Sequence, residues 1–312
     1  MAQKKGKGKK AKNSGARVFM NPKTDFGFKK IFGNKLLMMK FLTALGVLPE
    51  EIAAIEYLPL EQLGVVKENR KAIYDIYVKT ASGKRYIVEM QVSGQDHFVE
   101  RMLFYASYSV IYQAPKGKVA APNAKGKKVE KQSYDIAGVY VIAILDFVLF
   151  KEKTAKDIVV EQVKLMRQEA NMEFTDKYRF LIIELPKFKK ALEELSTLED
   201  KLLFSLKNMD KLSERPEVMS EEVFTLLYEE ARINKLTEVE METYNKSILE
   251  YDDVRQAVDF AKREGLLEGQ RKGIKQERIR LVKRLRLSNM SIKQIAKMTG
   301  LTEERIYNIL DS

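Results

Sequence analysis

The first third of the chain changes from a helical to a strand-like spacing of apolar residues. Apolar side chains at helical spacing predict a helix from Thr24-Asp25 to Leu45, ended by Gly46. Leu48-Pro49-Glu50-Glu51 predicts the start of a short second helix. Runs rich in Ile, Val and Tyr then predict strands over about 57–66, 71–79 and 85–92. The one-sided apolar face of the first helix consists of Phe28, Ile31, Phe32, Leu36, Met39 and Leu42.

The middle of the chain predicts a further helix over Phe98–Gln113 and two apolar strands, over 136–147 and Tyr178–Glu184. From Pro186 onward the pattern is helical and highly charged, and glycines four residues apart within 264–273 predict a weak helix. A hairpin is antiparallel, whereas the helix after it allows a parallel crossover. The order of elements therefore predicts an α/β core with mixed strand directions.

The hairpin carries the most informative polar residues. Its turn, Ala81-Ser82-Gly83, holds three residues if Gly83 adopts a positive φ. Asp75 then lies directly opposite Glu89, on one face and about 5 Å apart between Cβ atoms. Gln91, two residues further, shares that face. This register predicts that two carboxylates and an amide converge, and two like charges so close favour a cation between them.

Composition restricts the chemistry of such a site. The 312 residues include no cysteine and one histidine, His97, which we expect at the surface near a helix start. A metal must therefore be held by oxygen ligands, which select hard cations such as Mg²⁺ or Mn²⁺. The polar, lysine-rich amino terminus predicts no signal peptide, and the longest apolar run, 139–145, is too short to span a membrane. We expect a cytoplasmic protein without membrane contact.

The formal net charge of +12 is concentrated in two tracts. Residues 1–17 carry +7 and residues 116–131 carry +5, so the rest of the chain is neutral in sum. Basic tracts bind polyanions through release of counterions, or else are simply solvated. In the second tract, Lys125, Lys127 and Lys128 are candidate DNA contacts.

The carboxylates suit metal-assisted hydrolysis of a phosphodiester, in which the metal stabilises phosphate charge and activates water. Asp75 and Glu89 are the candidate ligands, the carbonyl of Met90 is a third oxygen, and Gln91 orients the water or contacts the phosphate. The alternative is that both acids are ordinary polar positions on a half-exposed hairpin, paired with Lys or Arg.

Several motifs in order resemble those of a known family. They are Asn21-Pro22-Lys23-Thr24-Asp25-Phe26-Gly27-Phe28-Lys29-Lys30-Ile31-Phe32-Gly33, Tyr74-Asp75-Ile76, Val88-Glu89-Met90-Gln91, Arg101 followed by Tyr105-Ala106-Ser107, and Val139–Phe147. Over roughly residues 20–270 the chain resembles the PD-(D/E)XK nuclease family transposases, the recombination-promoting nucleases.

The resemblance implies a restriction-endonuclease-like α/β/α core and Mg²⁺-dependent cleavage of DNA at Asp75, Glu89 and Gln91. In the superfamily signature the third position is usually Lys, and Gln is a variation of this branch. Asp25 is an additional candidate acid and Lys29 a candidate phosphate contact; the alternative is a capping aspartate and a surface lysine paired at i, i+4. Arg101 and Gln113 are candidates to reach the site or the DNA backbone; the alternative is a solvated helix face, which is favoured for Gln113. The family usually lacks the segment 114–133, which is either a DNA-clamping loop or a tolerated insertion.

The last residues predict two short helices joined by a turn at Gly300, with Ser291 and Thr302 as N-caps. A DNA-reading second helix would present Arg305 and Asn308, but Glu303 and Glu304 oppose DNA approach. The alternative is a helical hairpin used for packing or for a homo-oligomer.

Four segments follow from these patterns: a disordered basic tail (1–19), a nuclease-like core (20–185, with the basic loop 114–133), a helical extension (186–274) and a helix-turn-helix-like segment (275–312). Three functions remain open: a metal-dependent DNA endonuclease, a catalytically degenerate DNA-binding protein, and an oligomeric interaction protein on the same fold.

Overall fold

A computed structural model describes residues 17–46, 52–62, 72–113, 118–122, 128–132 and 135–311. By clustering of contacts the chain divides after Asp252 into two compact units. The first unit contains every strand. In chain order the strands are β1 (Ile55–Tyr57), β2 (Glu61–Gln62), β3 (Ala72–Ile73), β4 (Ile76–Thr80), β5 (Arg85–Gln91), β6 (Lys118–Pro122), β7 (Lys128–Gln132), β8 (Val139–Leu145), β9 (Val160–Lys164), β10 (Met166–Arg167), β11 (Met172–Glu173) and β12 (Tyr178–Glu184).

Six of these strands form one mixed sheet in the order β1-β4-β5-β8-β12-β9. The central strands β5, β8 and β12 are parallel, and the outer pairs are antiparallel. Every residue of β8 is buried, as expected for a strand covered on both faces. The expected α/β class with mixed strand directions is confirmed.

The α-helices are α1 (Asp25–Phe32), α2 (Lys35–Ala44), α3 (Phe98–Ile111), α4 (Leu198–Asn208), α5 (Glu222–Glu230), α6 (Glu238–Leu287), α7 (Ile292–Thr299) and α8 (Glu303–Leu310). Single 3₁₀ turns occur at Lys153–Ala155, Leu185–Lys187, Leu192–Glu194, Met209–Lys211 and Ile233–Lys235. In the first unit, α1, α2, α4 and α5 pack on one face of the sheet and α3 on the other, which makes an α/β/α sandwich. No helix among the described residues is long and apolar enough to cross a membrane.

Three local expectations are corrected. The expected single helix over 24–45 is two helices, because Asn34 accepts a hydrogen bond from the amide of Leu37 and so caps α2. Within the expected basic loop 114–133, the described residues form two strands, β6 and β7, which pair antiparallel. The strands β9, β10 and β11 were not expected: β9 adds an edge to the sheet beside β12, and β10 and β11 form a separate two-stranded sheet. The expected helix start at 48–51 lies outside the described residues.

The second unit begins within α6 and ends at the carboxyl terminus. The expected caps of its short helices are confirmed: Ser291 accepts from the amide of Gln294, and Thr302 from that of Arg305. Gly300 has a φ of 67° in the turn between them. Val282, Ile295 and Ile306 form a small apolar core. The glycines at 265, 269 and 273 lie inside α6, so this segment is helical as expected.

Candidate active site

The β4–β5 hairpin places two acidic residues opposite each other. Its ladder pairs Ile76 with Val88, and the amide of Thr80 donates to the carbonyl of Lys84 around a three-residue turn. Gly83 has a φ of 83° in that turn, as the sequence predicted. Continuing the register by one residue sets Asp75 opposite Glu89. Tyr77 and Ile87, a register pair two positions away from Asp75 and Glu89, face α3, and by alternation so do the two acids.

Each acid is held by a backbone amide of the opposite strand. The amide of Asp75 donates to Oε1 of Glu89 at 3.2 Å, and the amide of Met90 donates to Oδ2 of Asp75 at 2.8 Å. These side-chain bonds take the place of backbone ladder bonds at the start of β4. The amide of Tyr74, the residue before Asp75, donates to the carbonyl of Leu60 and not to β5. The two carboxylates are therefore fixed in position at the carboxyl end of β5.

The site concentrates negative charge in a poorly hydrated place. Glu89 is 5% exposed, and among the described residues no lysine or arginine nitrogen lies within 4.0 Å of its carboxylate. Burial, followed by the charge of Asp75, raises the pKa of Glu89 to about 8. Burial also raises the pKa of Asp75, against the opposing effects of the Met90 amide and the charge of Lys29. Without a further cation, Glu89 therefore keeps its proton at neutral pH, and the surroundings do not stabilise two negative charges on the pair.

The main chain adds a further oxygen at this point. The amide of Met90 points to the β4 side of β5, since it donates to Asp75. In a strand, the amide and carbonyl of one residue bond to the same neighbour, so the Met90 carbonyl points to that side as well.

Gln91 follows on the same face and contacts a cation. Its Oε1 accepts a hydrogen bond from Nη2 of Arg101 at 2.6 Å. The guanidinium carbon of Arg101 lies 5.3 Å from the ring centroid of Phe98 and 5.9 Å from that of Tyr105, both on α3. Arg101 lowers the pKa of both Asp75 and Glu89, so its charge is felt at the acid pair.

Two residues of α1 lie at the opening of the site. Nζ of Lys29 is 2.5 Å from Oδ1 of Asp25 and 3.9 Å from Oδ1 of Asp75. The structure therefore contains the i, i+4 surface pair, and it also brings Lys29 to the acids. Thr24, not Asp25, caps α1, since its side chain accepts from the amide of Gly27.

Other expected residues lie elsewhere. Gln113 is bonded through its amide group to the backbone of Ala137, before the amino end of β8, and so does not reach the acid pair. His97 is exposed just before α3, as expected. In the second unit, Arg305 and Asn308 are exposed on α8. Lys125 and Lys127 lie outside the described residues, and for Lys128 the backbone alone is described, in β7.

Sequence reasoning gave no role to a second polar cluster beside the site. The amide of Asp146, just after β8, donates to the carbonyl of Gln91 at 2.9 Å. Its Oδ2 accepts from the hydroxyl of Tyr251 at 2.8 Å and lies 3.7 Å from Nζ of the buried Lys23. The available signal was a charged residue directly after a fully apolar strand. Because this carboxylate has its own cation, it differs from the acid pair.

The acid pair fits a divalent cation. The described residues contain no group of three or more His, Asp or Glu side chains that could enclose a metal. Mg²⁺, however, usually keeps several waters and binds through one or two carboxylates together with substrate phosphates. Two carboxylates whose pKa values are raised by burial, and in Glu89 also by the charge of Asp75, match that donor set together with a main-chain carbonyl.

Fold and site together define a class: an α/β/α protein with a mixed sheet that carries an acid pair where a hairpin meets a parallel strand. The sequence model of the PD-(D/E)XK nuclease family transposases matches residues 22–261. The chain belongs to this family. No curated protein and no solved structure shows significant similarity to it. The expected restriction-endonuclease-like fold is confirmed, and a nuclease or transposase type of function, with DNA as the substrate and divalent metals in general use, follows from the family.

Proposed function

We propose that the chain is a DNA endonuclease of the transposase and recombination type that requires Mg²⁺ or Mn²⁺. The observation that carries the proposal is the acid pair: the buried Glu89 and the half-buried Asp75 are register partners, each is held by a backbone amide, and no cation lies close enough to neutralise both. Ionisation of both acids is unfavourable unless something compensates for their charge. A hard cation provides that compensation.

Asp75, Glu89 and the carbonyl of Met90 would hold the metal. When bound, the metal supplies charge stabilisation for the phosphate and lowers the pKa of a water. Gln91 presents its amide group on the same face, where it positions Arg101 or contacts the phosphate. Asp25 and Lys29 stand at the opening, and Lys29 is the nearer cation for an incoming phosphate.

DNA would be held mostly by contacts that do not depend on sequence. Lys29 and Arg101 lie at the site itself. Lys125, Lys127 and Lys128 belong to the basic tract of the insertion, and Arg305 and Asn308 are exposed in the second unit. The second unit is proposed to act as a helix-turn-helix or as an oligomerisation segment.

One observation favours a second candidate, a DNA-binding protein without cleavage. The usual lysine is replaced by Gln91, whose oxygen is occupied by Arg101. Cleavage then depends on whether Arg101 provides the charge that the lysine ammonium would provide.

A plasmid-nicking assay with Mn²⁺ or Mg²⁺ tests the proposal. Wild type is expected to convert supercoiled to nicked or linear DNA, and Asp75→Asn and Glu89→Gln to reduce the rate at least about a hundredfold, since carboxylate ligands are lost. Glu56→Gln is the matched control, because Glu56 pairs with Lys79 at an exposed position of the same sheet. Full activity in Glu89→Gln would refute the assignment. Binding of DNA without cleavage in any divalent metal would favour the second candidate.

A further inference from the structure

Four exposed lysines gather around a groove at the carboxyl ends of β8 and β12. The groove has a volume of about 380 Å³, and its charged lining residues are Lys151, Glu152, Lys153, Lys156, Lys187 and Lys189. We call it the lysine groove. It lies in the folded first unit and outside the two basic tracts that dominate the net charge.

The buried lysine of this groove is structural. Nζ of Lys187 lies 2.5 Å from Oε2 of Glu184 and donates to the carbonyl of Ala155 at 2.8 Å. Oε1 of Glu184 accepts from the amides of Leu149 and Phe150. This buried pair ties the segment after β8 to the end of β12 and so builds the wall that carries the exposed lysines.

The other lysines are not neutralised. Lys151, Lys153, Lys156 and Lys189 are exposed, and none of them has a carboxylate within 4.0 Å in the described part of the chain. Glu152 is the single acid among the lining residues.

The lysine groove lies on the same edge of the sheet as the acid pair. Gln91 and Glu184 are both register partners of Leu145, so the carboxyl ends of β5, β8 and β12 form a row. Neighbouring strands are about 4.8 Å apart, which sets the end of β12 about 10 Å from Gln91. Along one DNA strand, phosphates repeat about every 3.4 Å of helix axis, so this distance corresponds to about three nucleotides.

We propose that the lysine groove binds the sugar-phosphate backbone of duplex DNA on one flank of the bond to be cut. The inference rests on the proposed function, because it assumes that the bond to be cut lies at the acid pair. The chemistry is recognition of consecutive phosphates by ammonium groups, without contacts to base edges. Such contacts position the duplex and carry no sequence information.

The test is the salt dependence of DNA binding by the full chain, measured in EDTA by fluorescence anisotropy with a duplex of about 30 base pairs between about 50 and 200 mM salt. The variant replaces Lys151, Lys153, Lys156 and Lys189 by Gln. Each lost phosphate contact lowers the magnitude of the slope of log K against log salt by about 0.9, so the loss of four contacts is expected to lower it by about 3.6.

The matched control replaces four lysines that are already paired with carboxylates. They are Lys79, Lys177, Lys235 and Lys246, at 2.6, 2.8, 2.9 and 3.0 Å from their partners. This control changes the net charge equally but is expected to change the slope by less than about 1. An equal change in both variants, an unchanged slope, or a wild type that does not bind DNA would overturn the proposal.

Four single variants, each with one of the groove lysines replaced by Gln, guard against a folding defect of the fourfold variant. Each should lower the magnitude of the slope by about 0.9 if its lysine contacts a phosphate. The assay is independent of the metal and of cleavage. If the slopes differ as expected but no metal supports nicking, the proposed function fails and the groove remains a DNA surface. If nicking occurs and the slopes are unchanged, the groove assignment alone fails.

Discussion

The amide of Asp75 donates a hydrogen bond to Oε1 of Glu89, its register partner, at 3.2 Å. The bond fixes Glu89 in a place where its charge is poorly solvated and faces a second carboxylate. Burial and that second charge raise the pKa of Glu89 to about 8, against an ordinary value of 4.5. The bond itself lowers the pKa, so it sets the position of Glu89, whereas burial and the charge of Asp75 determine its protonation.

We expect the metal-free protein to lose stability as the pH rises. The folded state keeps the proton of Glu89 up to about pH 8, whereas the unfolded chain releases it near 4.5. The stabilisation is therefore complete below pH 4.5 and is lost as the pH rises through about 8. Glu89→Gln removes this dependence and should be more stable than wild type at alkaline pH by on the order of a few kcal/mol.

Urea denaturation in EDTA at acidic and alkaline pH measures this difference. Subtracting the values for Glu89→Gln from those for wild type removes the contributions of groups that do not interact with Glu89, including the lowered pKa of Glu229, and leaves those of Glu89 and Asp75. A difference that does not depend on pH would contradict the assignment of a raised pKa to Glu89.

A second prediction concerns the pairing of Gln91 with Arg101 at 2.6 Å. If Arg101 provides the charge of the missing lysine, Arg101→Ala should reduce nicking about tenfold or more, because a hydrogen bond to a charged group contributes about 1.5–3 kcal/mol. Adding Gln91→Lys to Arg101→Ala should restore part of the rate by supplying an ammonium on the same face.

Nicking rates of the two single variants, the double variant and wild type form the test. Arg278→Ala, an exposed arginine of α6, is the control for loss of one positive charge. A double variant no faster than Arg101→Ala would show that Arg101 serves another purpose.

A third prediction concerns the residue that sets the register. Gly83 has a φ of 83°, which side chains with a Cβ rarely adopt. Gly83→Ala should lower the free energy of unfolding by about 1–2 kcal/mol through backbone strain. Ala81→Ser, at an exposed position of the same turn, should have little effect. Urea denaturation compares the two, and equal stabilities would contradict the role of Gly83.

The hairpin shows why part of this site was predictable from sequence. Register follows from local turn chemistry, and Gly83 in a three-residue turn was enough to set Asp75 opposite Glu89. Central strands were found for a similar reason: β12 has the predicted bounds Tyr178–Glu184, because continuous apolar runs mark buried strands.

Features that depend on tertiary packing were not predictable. The break between α1 and α2 is a capping event at Asn34 inside an uninterrupted apolar pattern. The edge strand β9 has exposed polar residues and lacks a strong periodic signal. The lysine groove was not predicted, because the net charge outside the basic tracts is zero. A sum of charges over the sequence does not show which lysines, such as Lys151, Lys153 and Lys156, gather around one groove.

A fourth prediction separates the buried pair at the end of β12 from the acid pair. Lys187→Met leaves Glu184 buried without its cation and should lower the free energy of unfolding by about 3–5 kcal/mol. Adding Glu184→Gln should recover part of that loss, because the uncompensated charge is removed. Urea denaturation of the single and double variants measures the recovery. A double variant less stable than Lys187→Met would show that Glu184 contributes mainly through its bonds to Leu149 and Phe150.

The last prediction concerns α8, which is held in the second unit by Ile306 and exposes Arg305 and two acids. If α8 approaches DNA, Arg305→Ala should lower the salt slope of binding by about 0.9, the value for one phosphate contact. Replacing Glu303 and Glu304 by Gln should raise the affinity, because two like charges are removed from the interface. The same substitution at the exposed Glu238 and Glu250 of α6 is the matched control for net charge. Fluorescence anisotropy distinguishes the outcomes, and equal effects at both pairs would mean that α8 packs or oligomerises without touching DNA.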